Sequence, residues 1–206
     1  MKKITPILLL SLLIYMSLNS CSGVNRSKQN DKPLQSEILS DSLYHEYQSQ
    51  GRMIVQRSFQ ALSSKLMTAI QKGGVAHALK FCNIEAIPVT DSLSDFYKVE
   101  IKRVSLKNRN PLNKANEFDS VIIKKLEDML AQGRTASDTL IVDQNNHIYY
   151  MAPIMTVPPC LQCHGVEKTE ISDENMTLIN SLYPDDKAID YQLGDLRGLW
   201  KVQFNN

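Results

Sequence analysis

Apolar residues recur three and four positions apart along the first half of this chain, which is the spacing that places them on one face of a helix. The pattern runs through residues 53–70, and we expect this amphipathic helix to begin near Glu37 and to end at the glycine pair 73–74. A second helix is predicted from Val75 to about Ala86, and its spacing turns Cys82 inward.

A proline and a change of period mark the end of this helical region. Pro88 should break the second helix, because its ring nitrogen cannot donate a backbone hydrogen bond. A short helix is then predicted over residues 91–97, and alternation of apolar and polar residues over 99–105 indicates a strand.

The second half of the chain combines one clear helix with strand signals. The helix covers residues 117–131, with Gly133 as its stop. The strands are predicted at 139–142 and 147–151, which flank a polar turn and form a hairpin, and at 199–204. Helices followed by an antiparallel sheet that contains a ligand-bearing loop make an α+β domain.

The first twenty residues have the features of an export signal. Two lysines precede an apolar run over residues 7–16 that is too short for a transmembrane helix. The end of the segment resembles a bacterial lipobox, so we expect a lipoprotein signal peptide over residues 1–20 and a lipid on Cys21. Secretory cleavage without lipidation is the alternative, since Asn19 departs from the small residues of a lipobox.

The segment that follows is polar and has no aromatic residue, so it lacks the apolar surface needed to fold by itself. We interpret residues 21–36 as a flexible tether to a single folded domain over residues 37–206. Ser22, rather than aspartate, follows Cys21. By resemblance to enteric sorting rules, this favours a periplasm-facing lipoprotein of the outer membrane over one of the inner membrane.

Composition and charge exclude several classes of protein. The 206 residues, 43% of them hydrophobic, suit one globular domain once the signal is set aside. With 23 Lys and Arg against 22 Asp and Glu, the chain has no basic surplus for binding nucleic acid. We find no paired carboxylates, nucleophile motif or phosphate loop that would support hydrolysis or group transfer.

The most specific chemical motif is Cys160-Leu161-Gln162-Cys163-His164. Two cysteines separated by two residues can each bond to a vinyl group of one porphyrin, and the histidine that follows can bind the iron. In an exported chain this motif predicts one covalent haem c, attached at Cys160 and Cys163, with His164 as an axial ligand.

Three other uses of the same cysteines stay open. A thioredoxin-like CxxC is expected at a helix start in a βαβ unit, whereas no such unit is predicted here. A structural zinc site would need four ligands, which Cys82, Cys160, Cys163 and His164 would supply. The third use is a simple disulfide between Cys160 and Cys163.

Residue chemistry alone does not identify the second axial ligand, because haem iron accepts both sulfur and nitrogen donors. The candidates are Met151, Met155, Met176, His77, His147 and Cys82. His147 is expected to be exposed beside its turn, and Cys82 is either a ligand or a small buried apolar residue.

Three arginines are candidates for pairing with the haem propionates, because a guanidinium group matches a carboxylate. They are Arg103, Arg109 and Arg197. The alternative is that they are ordinary surface arginines in turns.

Five segments together resemble a known family. They are residues 78–88, Arg103-Val104-Ser105, residues 109–113, residues 160–165 and Gly194-Asp195-Leu196-Arg197-Gly198. Over residues 50–204 the chain is similar to the bacterial single-haem c-type domain with a PAS-like fold, long catalogued as a domain of unknown function. The resemblance implies a PAS-like antiparallel sheet with helices around it, and Cys82 as the axial ligand opposite His164.

A haem held by His164 and an anionic thiolate should have a low reduction potential, since thiolate favours ferric iron. We therefore expect a redox- or gas-sensing module or a low-potential electron-transfer module with an unknown redox or signalling partner, and not an enzyme. The resembling family includes sensor modules joined to histidine kinases and chemoreceptors. The alternative is a peroxidase-like enzyme, for which only His77 or His147 could supply the distal acid or base.

Overall fold

The structure is a computed structural model that describes residues 39–205. The predicted signal peptide, the predicted lipidation site Cys21 and the predicted tether lie outside the described residues.

The described chain folds into four α-helices and four strands. The helices are α1 (Asp41–Tyr97), α2 (Glu117–Ala131), α3 (Pro158–His164) and α4 (Asp173–Leu182), and the strands are β1 (Val99–Val104), β2 (Thr139–Val142), β3 (Ile148–Met155) and β4 (Leu196–Phe204). The strands form one antiparallel sheet in the order β1-β4-β3-β2. The predicted α+β class is confirmed, and the arrangement is consistent with a PAS-like fold.

Helix α1 is interrupted at the predicted glycine pair. Gly73 and Gly74 have non-helical backbone angles, and Gly74 has a φ of 69°, which glycine adopts without a steric penalty. The helix therefore has a first arm over residues 41–72 and a second arm over residues 75–97. Ser40 caps the first arm by accepting a hydrogen bond from the backbone N–H of Leu43.

The predicted break at Pro88 is wrong, because the second arm continues through it to Tyr97. Pro88 is exposed, so water can bind the carbonyl group that the proline leaves unpaired. Two side chains also donate to the carbonyl oxygen of Ala86: Thr90 Oγ1 at 3.0 Å and Arg103 Nη2 at 3.3 Å. These bonds stabilise the turn that contains the proline.

Helices cover both faces of the sheet. The first arm of α1 packs on one face, where Ile54 contacts a core that includes Tyr150 and Trp200. Helix α2 packs on the other face, where Ile123 meets Leu199. Burial of both faces explains why β3 is apolar at nearly every position instead of alternating.

The second arm of α1 packs against α4 in a third cluster. Leu79 lies there with Met176 and Ile179, and Cys163 borders the same cluster. This packing holds the Cys82-bearing arm beside α3. Within residues 39–205, no helix is both long and apolar enough to cross a membrane.

Most of the predicted elements in the second half are confirmed. Helix α2 has the predicted bounds and the β2-β3 hairpin forms, although β3 extends to Met155 and β4 begins at Leu196 instead of Leu199. Helices α3 and α4 had not been predicted.

Candidate functional site

The CxxCH motif lies on helix α3, so the prediction of a ligand loop is wrong. Pro158 and Pro159 occupy the first turn, where a helix has no use for their missing N–H groups. Positions three and four apart share a helix face, and Cys160, Cys163 and His164 accordingly line the same cavity.

This cavity has a volume of about 290 Å³ and is enclosed mainly by apolar side chains. Cys82, from the second arm of α1, lines it together with the three motif residues. The apolar walls come from the first arm and from the sheet, and include Phe59, Leu62, Leu66, Ile70, Ile154 and Trp200. An apolar cavity with a few converging polar groups is typical of a cofactor site.

The His164 ring is oriented for binding a metal through one nitrogen. Its Nδ1 atom lies 2.8 Å from the carbonyl oxygen of Ala188. A carbonyl oxygen only accepts hydrogen bonds, so Nδ1 carries the proton and Nε2 keeps a free lone pair. Burial lowers the pKa of His164 well below its ordinary value, and the charges of Arg197 and Arg109 add to this effect. The imidazole is therefore neutral, as a metal ligand must be.

The three described cysteines are free thiols. Burial raises the pKa of Cys82, and the nearby charges of Arg103 and Arg109 partly oppose the effect. Burial likewise raises the pKa of Cys163 to about 11. Without a bound group these two thiols are protonated at neutral pH, and a metal ion would be needed to hold Cys82 as a thiolate.

Two of the alternative interpretations of the cysteines, the disulfide and the zinc site, find no geometric support in the described part of the chain. Cys160 and Cys163 are not joined by a disulfide. Across residues 39–205, no three His, Cys, Asp or Glu side chains are grouped closely enough to hold a metal ion, whereas a structural zinc site needs four donors.

Two of the predicted arginines contribute buried cationic groups to the wall of the cavity. Arg103 and Arg197 both line it, and the Nε atom of each is buried without a hydrogen-bond partner among the described residues. Burial lowers the pKa of both side chains. Buried cationic donors without partners are costly, so this wall fits a ligand that carries carboxylate groups.

A β-bulge places Arg197 at the cavity. Ile154 pairs with Gly198 and Met155 pairs with Leu196, which leaves Arg197 as an extra residue in β4. Bulges redirect side chains in this way beside functional sites. Gly198 has a φ of 154°, and a Cβ atom there would overlap the carbonyl oxygen of Val104, so the position requires glycine.

Arg109 has partners other than the haem carboxylates that were predicted for it. Its guanidinium group forms a buried ion pair with Asp186 at 2.9 Å. It also donates to the carbonyl oxygens of Cys163 at 2.7 Å and Ala188 at 3.2 Å. Arg109 therefore ties α3 to the segment 186–191, whose Tyr191 N–H donates to the carbonyl oxygen of His164 at 3.0 Å.

The other ligand candidates do not reach the cavity. Met151 is buried in the cluster under α2, Met155 packs beside that cluster, and Met176 lies between α1 and α4. His77 is exposed. His147 is exposed as predicted, and its Nδ1 lies 3.0 Å from Asp143 Oδ2.

Sequence reasoning missed three residues that complete the site. Tyr183 lines the cavity, and burial raises its pKa to about 12. Asp186 and Ala188 hold Arg109 and His164 by the bonds described above. No motif or periodicity marks these residues, and they act through partners distant in the sequence.

Fold and site together define a PAS-like α+β domain in which a CxxCH helix and a distant cysteine share one apolar cavity. The chain belongs to the Tll0287-like family, whose sequence model, described as Tll0287, matches residues 26–205. The family resemblance predicted from the motifs is thereby confirmed.

The fold is also similar to that of a solved structure. It is the crystal structure of the cyanobacterial heme-protein Tll0287, which has 20% sequence identity and a TM-score of 0.58. The likeness covers 78% of this chain and 96% of that one, and at this identity it shows a shared fold. No curated protein sequence matches this chain.

Proposed function

We propose that this chain is a single-haem c-type protein that acts outside the cytoplasm as a low-potential electron-transfer module or as a redox or gas sensor. The observation that carries the proposal is the convergence of Cys82, Cys160, Cys163 and His164 on one apolar cavity. The protein of similar fold is a heme-protein, which supports the same cofactor here.

In this proposal six residues that line the cavity have a task in holding the haem. Cys160 and Cys163 would hold the haem covalently, and His164 Nε2 and the Cys82 thiolate would bind its iron. Arg103 and Arg197 pair with the propionates, which gives partners to their buried Nε atoms. The haem, when bound, supplies a one-electron couple. With two protein ligands the iron would have no vacant position for a substrate, which favours electron transfer or redox sensing over catalytic turnover. A gas could bind only after one of these ligands left the iron.

The peroxidase-like alternative lacks its distal group in this arrangement. His77 and His147, the two residues considered for that role, are exposed and neither lines the cavity. We therefore do not assign an enzymatic activity.

The membrane anchor is part of the proposal and rests on the lipobox resemblance around Cys21. The wild-type protein should incorporate labelled fatty acid in cells, and a Cys21→Ala protein should not. A Cys21→Ala protein that still incorporates the label would contradict lipidation at this residue.

The test of the haem site is the visible spectrum of protein made in cells with a c-type maturation system. We expect a Soret band that survives denaturation in the wild type and in Cys82→Ala, with the low-spin thiolate features lost in the variant. Met155→Ala is a matched control that removes a sulfur donor outside the cavity, and its spectrum should equal that of the wild type.

Each deviation contradicts a different part of the proposal. Wild-type protein without covalent haem would contradict the assigned cofactor. A low-spin thiolate spectrum that persists in Cys82→Ala would contradict the assigned second ligand while leaving the cofactor in place.

A further inference from the structure

The carbonyl oxygen of Ala188 accepts hydrogen bonds from two residues of the site. His164 Nδ1 donates to it at 2.8 Å, and Arg109 Nη2 donates to it at 3.2 Å. The same guanidinium group donates to the carbonyl oxygen of Cys163 at 2.7 Å. Arg109 is thus bonded to the acceptor that orients the imidazole and to the backbone of α3.

Asp186 fixes Arg109 in this position. Its Oδ2 atom accepts from Arg109 Nε at 3.1 Å and from Nη2 at 2.9 Å, and its Oδ1 accepts from the backbone N–H of Ala188 at 2.8 Å. The two side chains are only 9% and 4% exposed. A buried pair with this many bonds has a defined geometry and is weakly screened by salt.

We propose that Arg109 and Asp186 are positioning residues that set the strength of the hydrogen bond from His164 to Ala188, and through it the reduction potential of the haem iron. This inference rests on the proposed haem function. It concerns residues that are neither iron ligands nor attachment points.

The direction of the effect follows from competition for one acceptor. A second donor on the Ala188 oxygen makes that oxygen a weaker acceptor for His164, which leaves the imidazole less anionic and a poorer donor to iron. Ferric iron is then stabilised less, so Arg109 raises the potential. Its positive charge acts in the same direction, and Asp186, which neutralises that charge, lowers the potential.

The test is a potentiometric titration of the haem-loaded full chain. In Arg109→Gln we expect the ratio of reduced to oxidised protein at a fixed applied potential to fall about tenfold, or about 59 mV for a one-electron couple. In Asp186→Asn, Asn keeps an oxygen for the Ala188 N–H, and Arg109 keeps its bonds to the carbonyl oxygens of Cys163 and Ala188. The ratio should therefore rise, because only the compensation of the Arg109 charge is lost. Arg52→Gln is the matched control, since it breaks the Arg52–Asp138 pair outside the cavity, and its potential should equal that of the wild type.

Opposite shifts in the two variants separate this role from a structural one, because mere loosening of the segment 186–191 would move both potentials in the same direction. Shifts of the same sign, or an unchanged potential in haem-loaded Arg109→Gln, would overturn the inference. If Arg109→Gln does not fold, Arg109→Lys replaces it. One ammonium group cannot reach all three acceptors, so we expect a smaller fall in the ratio. An unchanged potential in Arg109→Lys would overturn the inference. Wild-type protein that takes up no haem would contradict the proposed function instead.

Discussion

Arg197 and Ser105 bind each other reciprocally. Arg197 Nη1 donates to Ser105 Oγ at 3.0 Å, and the Ser105 hydroxyl donates to the backbone carbonyl oxygen of Arg197 at 2.8 Å. The hydroxyl is donor and acceptor at once, which fixes both the backbone and the side chain of the bulged residue. The guanidinium group is therefore held at the cavity wall, with its Nε atom buried and, among the described residues, without a partner.

Replacing Arg197 should affect the haem-loaded protein more than the haem-free one. The buried Nε is unpaired without the cofactor and would bind a propionate when the cofactor is present. Haem should raise the free energy of unfolding of the wild type, and we expect this increase to be smaller by about 1.5–3 kcal/mol in Arg197→Gln. Urea unfolding of both forms measures this difference. The exposed Arg134→Gln is the control and should leave the difference unchanged. Equal destabilisation of both forms by Arg197→Gln would contradict a role in binding the cofactor.

Gly198→Ala should destabilise the protein more than Gly194→Ala. Both glycines have positive φ, but only at Gly198 would a Cβ overlap another group, the Val104 carbonyl oxygen. We expect a loss of about 2–4 kcal/mol at Gly198, from strain and overlap, and about 1–2 kcal/mol at Gly194, from backbone strain alone. Urea unfolding measures both values. Equal losses of stability in the two variants would contradict the idea that Gly198 is needed for close contact with the Val104 carbonyl oxygen.

The buried pair of Lys201 and Asp119 gives a prediction on stability. Their side chains lie 2.8 Å apart and are 9% and 3% exposed. Lys201→Met should cost about 3–5 kcal/mol in free energy of unfolding, because it leaves a buried carboxylate unpaired. Lys102, its register partner on β1, is half exposed, and Lys102→Met should cost less than about 1 kcal/mol.

A second substitution distinguishes the buried charge from the lost packing. Asp119 also accepts from the backbone N–H of Asn116 as part of the capping box of α2. Asp119→Asn keeps an oxygen for this bond and removes the charge, so it should recover part of the stability lost in Lys201→Met. An additive loss in the double variant would contradict the charge explanation.

Asp138 makes stability depend on acid pH. Burial alone would raise the pKa of Asp138, but hydrogen bonds from Tyr150 and Arg52 outweigh it and lower that pKa below its ordinary value. A carboxylate whose pKa is lowered by folding stabilises the protein fully above its unfolded pKa, about 3.9, and this contribution is lost as the pH falls through the folded pKa.

The measurement for Asp138 is the free energy of unfolding between pH 7 and pH 3. The difference between wild type and Asp138→Asn should be constant down to about pH 5 and should shrink below about pH 4. A difference that stays constant to pH 3 would show that the carboxylate charge does not contribute.

Local sequence patterns predicted the elements whose stability depends on near neighbours. Helix α2 was predicted with its observed bounds because its apolar period and the stop at Gly133 lie within one segment. The hairpin of β2 and β3 was predicted for the same reason. The break at Pro88 was predicted wrongly, because the bond from Arg103 to the Ala86 carbonyl comes from another element.

The sequence by itself determined the identity of the chemical groups: the CxxCH motif, the inward Cys82 and the family to which their spacing belongs. Only the tertiary structure decided which of these groups share a cavity, since Cys82 and His164 are brought together by the packing of α1 against α4. It also decided that Arg197 reaches the cavity through a bulge while Arg109 pairs with Asp186. The physical reason is that motif chemistry depends on adjacent residues, whereas burial and choice of partner depend on contacts between segments far apart in the chain.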